Sequence, residues 1–162
     1  MPFRIFVSYS SKDLPHVEAL QRQLHGSAVE VFVAEHSVKP SEDLAPRIAN
    51  AIEECDFFVL LWSENAKASD WVSQEIGRAS ALKKPILPLV LSPNSALPGF
   101  IQGLKYLPVH TNSESALEQA RSLILEEYNR KEAQLAAAAR KKRDDDAKAL
   151  MAIGAFLLWV FK

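Results

Sequence analysis

The stretch FFVLLW, residues 57–62, is apolar at every position. A strand with one face in water alternates apolar and polar side chains, whereas a parallel strand covered on both faces is apolar throughout. We therefore predict that residues 57–62 form a central strand of a parallel sheet with helices on both of its faces.

Other short apolar runs flank this stretch on both sides, at residues 3–7, 29–33 and 86–91, with a weaker run at 106–109. Pro88 lies inside one of them. A proline in a central strand removes a ladder hydrogen bond, so we expect Pro88 near a strand end or a bulge.

The segments between the first four runs have apolar residues at helical spacing. These residues are Val17, Leu20 and Leu24, then Leu44, Ile48 and Ile52, then Val72, Ile76 and Ala79. Asp13 precedes the first helix and Ser69 or Asp70 the third, as candidate N-caps. Alternating strands and helices with short connections predict an α/β fold with an open, doubly wound parallel sheet.

The last third of the chain differs in composition, because residues 113–153 contain no proline or glycine. This predicts one long helix, whose first turns pack on the sheet through Leu117, Ile124 and Leu125. We divide the chain into a domain at 1–128, a charged helical stalk at 129–148 and an apolar segment at 149–162.

The apolar run at 149–161 would extend roughly 20 Å as a helix, less than the ~30 Å hydrocarbon core of a bilayer. It suits a packing or self-association segment. It also suits a shallow membrane anchor, with Trp159 at the interface and Lys148 snorkelling. A spanning helix of which this sequence contains only a part is a third interpretation.

The composition limits the function classes. A formal net charge of -1 over 162 residues argues against a nucleic-acid partner. Cys55 is the single cysteine, which excludes an intrachain disulfide and fits a reducing cytoplasm. The four histidines lack metal-binding spacing, so we expect no metal. No apolar signal core opens the chain, and we expect a cytoplasmic protein, with membrane contact through 149–161 as an alternative.

Ligands of open parallel sheets bind at the carboxyl ends of the strands. The first strand is followed by SYSSKD, residues 8–13, and not by a glycine-rich dinucleotide or phosphate loop. The third strand ends at Trp62 and Ser63, without the acidic residue of a phospho-accepting receiver. The serines at 8, 10 and 11 are expected to donate hydrogen bonds or to cap the first helix.

The segment SDWVSQEIG, residues 69–77, places Trp71 and Glu75 one helical turn apart on the same face. One interpretation is a surface helix in which Glu75 is solvated, or pairs with Arg78. The other is that Trp71 and Glu75 bind a flat, sugar-linked ligand and react with it.

Four stretches together resemble a Toll/interleukin-1 receptor (TIR) domain of the prokaryotic kind. They are FVSYSSKD, VFVAEHSVKPSED, FFVLLWS and SDWVSQEIGRA, and KKPILPLVL is similar to the fourth strand of that family. The resemblance covers about residues 3–110 and the start of the last helix. It implies a flavodoxin-like sheet of five parallel strands in the order 2-1-3-4-5.

The resemblance implies two kinds of function. Some TIR domains are adaptors that only associate with other TIR domains. Others cleave the nicotinamide–ribose bond of NAD+ and release ADP-ribose or a cyclic or conjugated form, and these carry a glutamate shortly after a tryptophan in the third helix. Trp71 and Glu75 match that pattern, which implies a catalytic Glu75, NAD+ as substrate with no cofactor, and homo-oligomerisation on activation in defence or signalling.

The remaining site residues also follow from the resemblance. Ser10 and Ser11 match positions that contact the dinucleotide, Lys39 matches a ligand-contacting position in some members, and Trp71 would line the pocket. Ala34 and Ser41 depart from the usual aspartate and glycine of the loop after the second strand. A weaker alternative is a nucleoside deoxyribosyltransferase-like enzyme of similar fold.

Overall fold

The computed structural model describes residues 2–33 and 44–160, with the backbone alone at Leu158. Lys39, Ala34 and Ser41 lie outside the described residues, so the expectations for them stay predictions.

The sheet has five parallel strands: β1 Phe3–Ser8, β2 Val29–Val33, β3 Phe57–Trp62, β4 Ile86–Val90 and β5 Leu107–Pro108. Their order is β2-β1-β3-β4-β5, as predicted. All six residues of β3 are buried, because β1 and β4 flank it in the sheet and helices cover its faces.

Within residues 2–33 and 44–160, five α-helices accompany the strands: α1 Leu14–Leu24, α2 Leu44–Glu54, α3 Glu64–Lys67, α4 Asp70–Ala81 and α5 Ser113–Val160. A 3-10 turn, Ser11–Asp13, precedes α1. The predicted apolar positions of α1, α2 and α4 are buried, apart from Leu44, which is half-buried. The four-residue α3 was not predicted, since one turn is too short to show a helical period.

Only one of the expected N-caps is confirmed. The Ser69 hydroxyl accepts a hydrogen bond from the Val72 backbone N–H at 3.3 Å and caps α4. Asp13 makes no side-chain cap on α1. Its carboxylate instead accepts a 2.5 Å hydrogen bond from the Ser63 hydroxyl, and the Asn65 amide donates to it at 3.4 Å.

Pro88 lies in the middle of β4, so the expectation of a strand end or bulge is wrong. The backbone of its neighbours explains why a proline fits here. The Pro85 carbonyl and the Leu91 N–H form hydrogen bonds with the backbone of β3. Successive residues of a strand direct their backbone groups to opposite neighbours, so the backbone of Pro88 faces β5 and not β3. On that side β5 begins to pair only at Leu89, so the missing N–H disrupts no ladder bond.

The chain divides into two compact units, residues 1–125 and 126–162. In the first unit the initial turns of α5 bury Leu117 and Ile124. In the second unit α5 runs on to Val160, beyond the predicted Ile153, and most of its side chains are exposed. No helix within the described part of the chain has both the length and the apolarity needed to cross a membrane.

Candidate active site

Glu75 lies on the buried face of α4, beside Val72 and Ile76. Only 2% of its surface is exposed. A carboxylate is rarely buried to this extent unless it is hydrogen-bonded or paired, because leaving water costs several kcal/mol. The position therefore calls for a polar partner inside the fold.

Ser8 is such a partner. It is the last residue of β1, it is fully buried, and its hydroxyl donates a 2.5 Å hydrogen bond to Glu75 Oε2. The contact joins residues 67 positions apart in the sequence. It places Glu75 at the carboxyl end of a central strand, where ligands of open parallel sheets bind.

The interpretation of Glu75 as a solvated surface carboxylate is therefore wrong. The guanidinium of Arg78, one turn further along α4, pairs with Glu53 of α2 at the exposed side of that helix pair. Glu75 and Arg78 of α4 thus lie in different environments, and Glu75 is the one at the strand ends.

Trp71 lies on α4 one turn before Glu75, and Ser10 and Ser11 follow the strand that ends at Ser8. Trp71 is half-buried and packs against an apolar cluster. The cluster includes Val72 and Ile76 of α4 and Phe58, Leu60 and Trp62 of β3. Ser10 is buried and Ser11 is exposed, and both directly follow the strand that holds Ser8. Four of the five predicted site residues are thus described, and all four are carried by α4 or by the segment that follows β1.

The sequence interpretation missed two features of this end of the sheet. It treated Ser8 as a hydrogen-bond donor without identifying Glu75 as the acceptor. It also treated Asp13 only as a helix cap, whereas the buried Asp13 carboxylate links the turn after β1 to Ser63 at the end of β3. The Asp13 backbone N–H also donates to the Ser10 carbonyl at 2.8 Å, which fixes the turn that carries Ser10 and Ser11.

No three acidic, histidine or cysteine side chains in residues 2–33 and 44–160 are arranged to hold one metal ion. What the described residues do provide is a buried carboxylate with a hydroxyl donor, two further serines and an adjacent indole. A fixed negative charge of this kind can stabilise a developing cation.

Solved structures with the same fold come from several classes of protein. The TIR domain of the Toll-related receptor TRR-2 from Hydra magnipapillata superposes with a TM-score of 0.62 at 18% identity, over 76% of this chain and 97% of that one. A prokaryotic SEFIR domain gives a TM-score of 0.55 at 17% identity, over 75% and 97% of the two chains. The CMP N-glycosidase BcmB from Clostridium botulinum gives 0.56 at 23% identity, over 74% and 98%.

At these identities the similarity shows the fold alone. No curated protein matches the sequence significantly. The model of the TIR domain family does match, over residues 5–125, which is most of the chain and contains Ser8, Ser10, Ser11, Trp71 and Glu75. The chain therefore belongs to the TIR domain family.

Proposed function

We propose that this TIR domain is an NAD+ nucleosidase that cleaves the bond between nicotinamide and ribose, with Glu75 as the catalytic residue. The observation that carries the proposal is the buried Glu75 carboxylate, held by the Ser8 hydroxyl at the carboxyl end of β1. A structural carboxylate at a solvated helix face would have neither the burial nor this partner.

The reaction suits a single carboxylate. When the C1′–N bond breaks, its electron pair neutralises the positive ring nitrogen, so nicotinamide leaves without a general acid. The ribose becomes an oxocarbenium-like cation, and the negative charge of Glu75 stabilises it most strongly where water is excluded. Addition of water at C1′ and loss of one proton give ADP-ribose, whereas attack by a group of the same nucleotide gives a cyclic product.

The other predicted residues have roles in binding. Trp71, one turn from Glu75, offers an aromatic face on which a flat ring can stack. Ser10 and Ser11 offer hydroxyls next to the strand end. Lys39, outside the described residues, is proposed to contact the pyrophosphate.

The burial of Glu75 also has a consequence for activation. A ribose can contact a carboxylate that is 2% exposed only after the groups above it have moved. TIR domains associate with other TIR domains, and we propose that homo-oligomerisation opens and completes this site. The physiological role that we infer is defence or signalling through NAD+ consumption in the cytoplasm, with no added cofactor.

The first test is replacement of Glu75 by glutamine, which keeps the side-chain shape and removes the charge. Loss of one preorganised electrostatic group typically lowers the rate by about 10²–10³. Concentrated protein is incubated with NAD+, and nicotinamide, ADP-ribose and cyclic products are separated by chromatography.

The matched control is Glu118→Gln, at an exposed position of α5, which should leave turnover unchanged. Circular dichroism of both variants establishes that the fold is intact. Equal nicotinamide release by the Glu75→Gln variant and the unmodified protein would refute the catalytic role of Glu75.

Two alternatives give different results in the same experiment. A non-enzymatic adaptor would leave NAD+ intact at every protein concentration. Because the fold is shared with an enzyme named for cleaving the N-glycosidic bond of CMP, nucleotides and deoxynucleosides are supplied in parallel reactions. Release of a free base from these, with NAD+ untouched, would favour a nucleotide glycosidase or a deoxyribosyltransferase-like enzyme.

A further inference from the structure

The second unit of the chain carries a regular seam along α5. Eight residues follow one another at alternating spacings of three and four, which is the heptad pattern of a coiled coil. In order, they are Ala136, Ala139, Arg143, Asp146, Leu150, Ile153, Leu157 and Val160. We call these eight residues the α5 seam.

The apolar end of the seam is uncovered. Leu150 and Ile153 are 70% and 57% exposed, and Leu157 and Val160 are 48% and 49% exposed. Four large aliphatic side chains in one row form an apolar patch of the kind that marks an interaction site on a soluble protein. The small and charged residues at the other end of the seam are exposed as well.

The residue types of the seam indicate what covers it. With Leu150 and Leu157 at a positions and Ile153 at a d position, the seam has the arrangement that favours bundles of more than two helices. Phe156 at a g position widens the apolar face beyond the narrow stripe of a dimer. Several identical helices in a bundle would cover this wide apolar face more completely than the groove of one partner protein would.

The charged layer of the seam points to the same partner. Arg143 and Asp146 are adjacent members of the seam, so aligned copies can pair the arginine of one helix with the aspartate of the next. Polar residues at such positions specify the register of coiled coils. An in-register parallel arrangement also packs the large residues at 150–160 against one another. A fully overlapping antiparallel arrangement would instead place Leu150 and Ile153 opposite Asp146 and Arg143, and it would place Leu157 and Val160 opposite alanines.

We propose that residues 136–160 associate with the same segment of three other copies in a parallel four-helix coiled coil, with the α5 seam inside. The association does not depend on the proposed reaction. Its effect is to raise the effective concentration of the TIR domains for one another.

The test uses the full chain at micromolar concentration, with the mass measured by sedimentation. We expect a mass about four times the 18.0 kDa of one chain. Ile153→Lys, in the seam, should reduce the mass to that of a monomer. Met151→Lys places the same charge at an exposed apolar b position outside the seam and should leave the mass unchanged.

Three results would overturn the proposal. They are a monomeric unmodified chain, a tetramer that survives Ile153→Lys, and equal loss of assembly in both lysine variants. Equal loss of assembly in both lysine variants would indicate unspecific apolar clustering. If both variants also lose binding to phosphatidylcholine vesicles, the result would indicate a lipid-binding segment.

The register is tested separately in a Cys55→Ser background. Ile153→Cys should form a disulfide between chains on mild oxidation, because parallel helices bring the same position together. Reversal of either charge, as in Arg143→Asp or Asp146→Arg, should weaken the tetramer, and both reversals together should restore it. Absence of the disulfide would contradict the parallel arrangement, and absence of restoration would contradict the proposed charge pairing.

Discussion

Glu75 and Ser8 form a buried pair in which each side chain supplies the hydrogen-bond partner that the other needs. The last side chain of β1 points into the interior, where a hydroxyl needs an acceptor, and the buried face of α4 supplies a carboxylate 2.5 Å away. Hydrogen bonds to charged groups contribute about 1.5–3 kcal/mol, more than neutral ones. Ser8 therefore acts as a positioning residue for Glu75.

Replacement of Ser8 by alanine tests this role. Glu75 loses one donor in a buried place, so we expect the free energy of unfolding to fall by about 1–3 kcal/mol. Urea denaturation measures the change. If the proposed reaction holds, Ser8→Ala should lower kcat more than it raises KM, and Ser8→Thr, which keeps a hydroxyl, should recover part of the loss. A variant as stable as the unmodified protein would contradict the strength assigned to this hydrogen bond.

Cys55 is a second residue whose environment has a measurable effect. It follows α2, it is 3% exposed, and its thiol donates to the Ile52 carbonyl at 3.2 Å. Burial raises the pKa of the Cys55 thiol above 9.0, its usual value, although the nearby Lys84 ammonium opposes the rise. The native thiol should therefore react slowly with alkylating reagents.

The raised pKa also predicts a pH dependence. As the pH rises past about 9, the unfolded thiol loses its proton while the folded one keeps it, so the unfolded state gains stability. The free energy of unfolding of the unmodified protein, relative to that of Cys55→Ala, should fall between pH 8 and pH 10. Urea denaturation of both proteins at the two pH values measures the difference, and a constant difference would contradict the raised pKa.

At the scale of elements, Asp13 connects the ends of two neighbouring strands. Its carboxylate holds Ser63 at the end of β3, and the Ser63 hydroxyl in turn accepts from the Ala66 N–H and caps α3. One buried carboxylate thus fixes both the turn after β1 and the start of α3. The segment that carries Ser10 and Ser11 depends on this connection.

Asp13→Ala should therefore destabilise the protein by about 1.5–3 kcal/mol, because it removes the charged acceptor of a buried hydroxyl. The control is Asp70→Ala, at the exposed first turn of α4, where loss of a favourable helix-dipole interaction costs about 0.3–1 kcal/mol. Thermal unfolding of the two variants compares them. Similar losses of stability would show that the link between Asp13 and Ser63 contributes little.

At the scale of the whole molecule, the fold brings the ends of β1 and β3 to one edge of the sheet, with α4 beside them. The site formed there is closed, since its carboxylate is buried in the single chain. Members of this family associate with one another, and our proposal that association opens the site would connect the proposed activity to assembly.

We therefore expect the proposed NAD+ turnover per molecule to increase with protein concentration. Nicotinamide release is measured from nanomolar to tens of micromolar protein, beside the sedimentation mass at each concentration. The rise in specific activity should coincide with the rise in mass. Constant specific activity across the change in mass would show that the monomer is already competent.

Much of this fold was predictable from local sequence patterns. The unbroken apolar run of β3 and the three- and four-residue spacing in α1, α2 and α4 predict strands and helices, because burial of side chains imposes those periods directly. The TIR resemblance added the strand order. The four residues of α3 and the two of β5 are too few to show a period, so the bounds of these elements could not be predicted. Whether a strand tolerates Pro88 depends on which neighbouring strand its backbone faces, and the sequence does not show that.

The sequence by itself determined the order of elements, their buried faces and the placement of Trp71 and Glu75 one helical turn apart on the same face. Only the tertiary structure decided that Glu75 is buried and bonded to Ser8, and that Asp13 binds Ser63 and does not cap α1. The physical reason is distance along the chain. Helical and strand periods are properties of neighbouring residues, whereas the partner of a buried polar group is chosen by how the sheet brings together residues 67 and 50 positions apart.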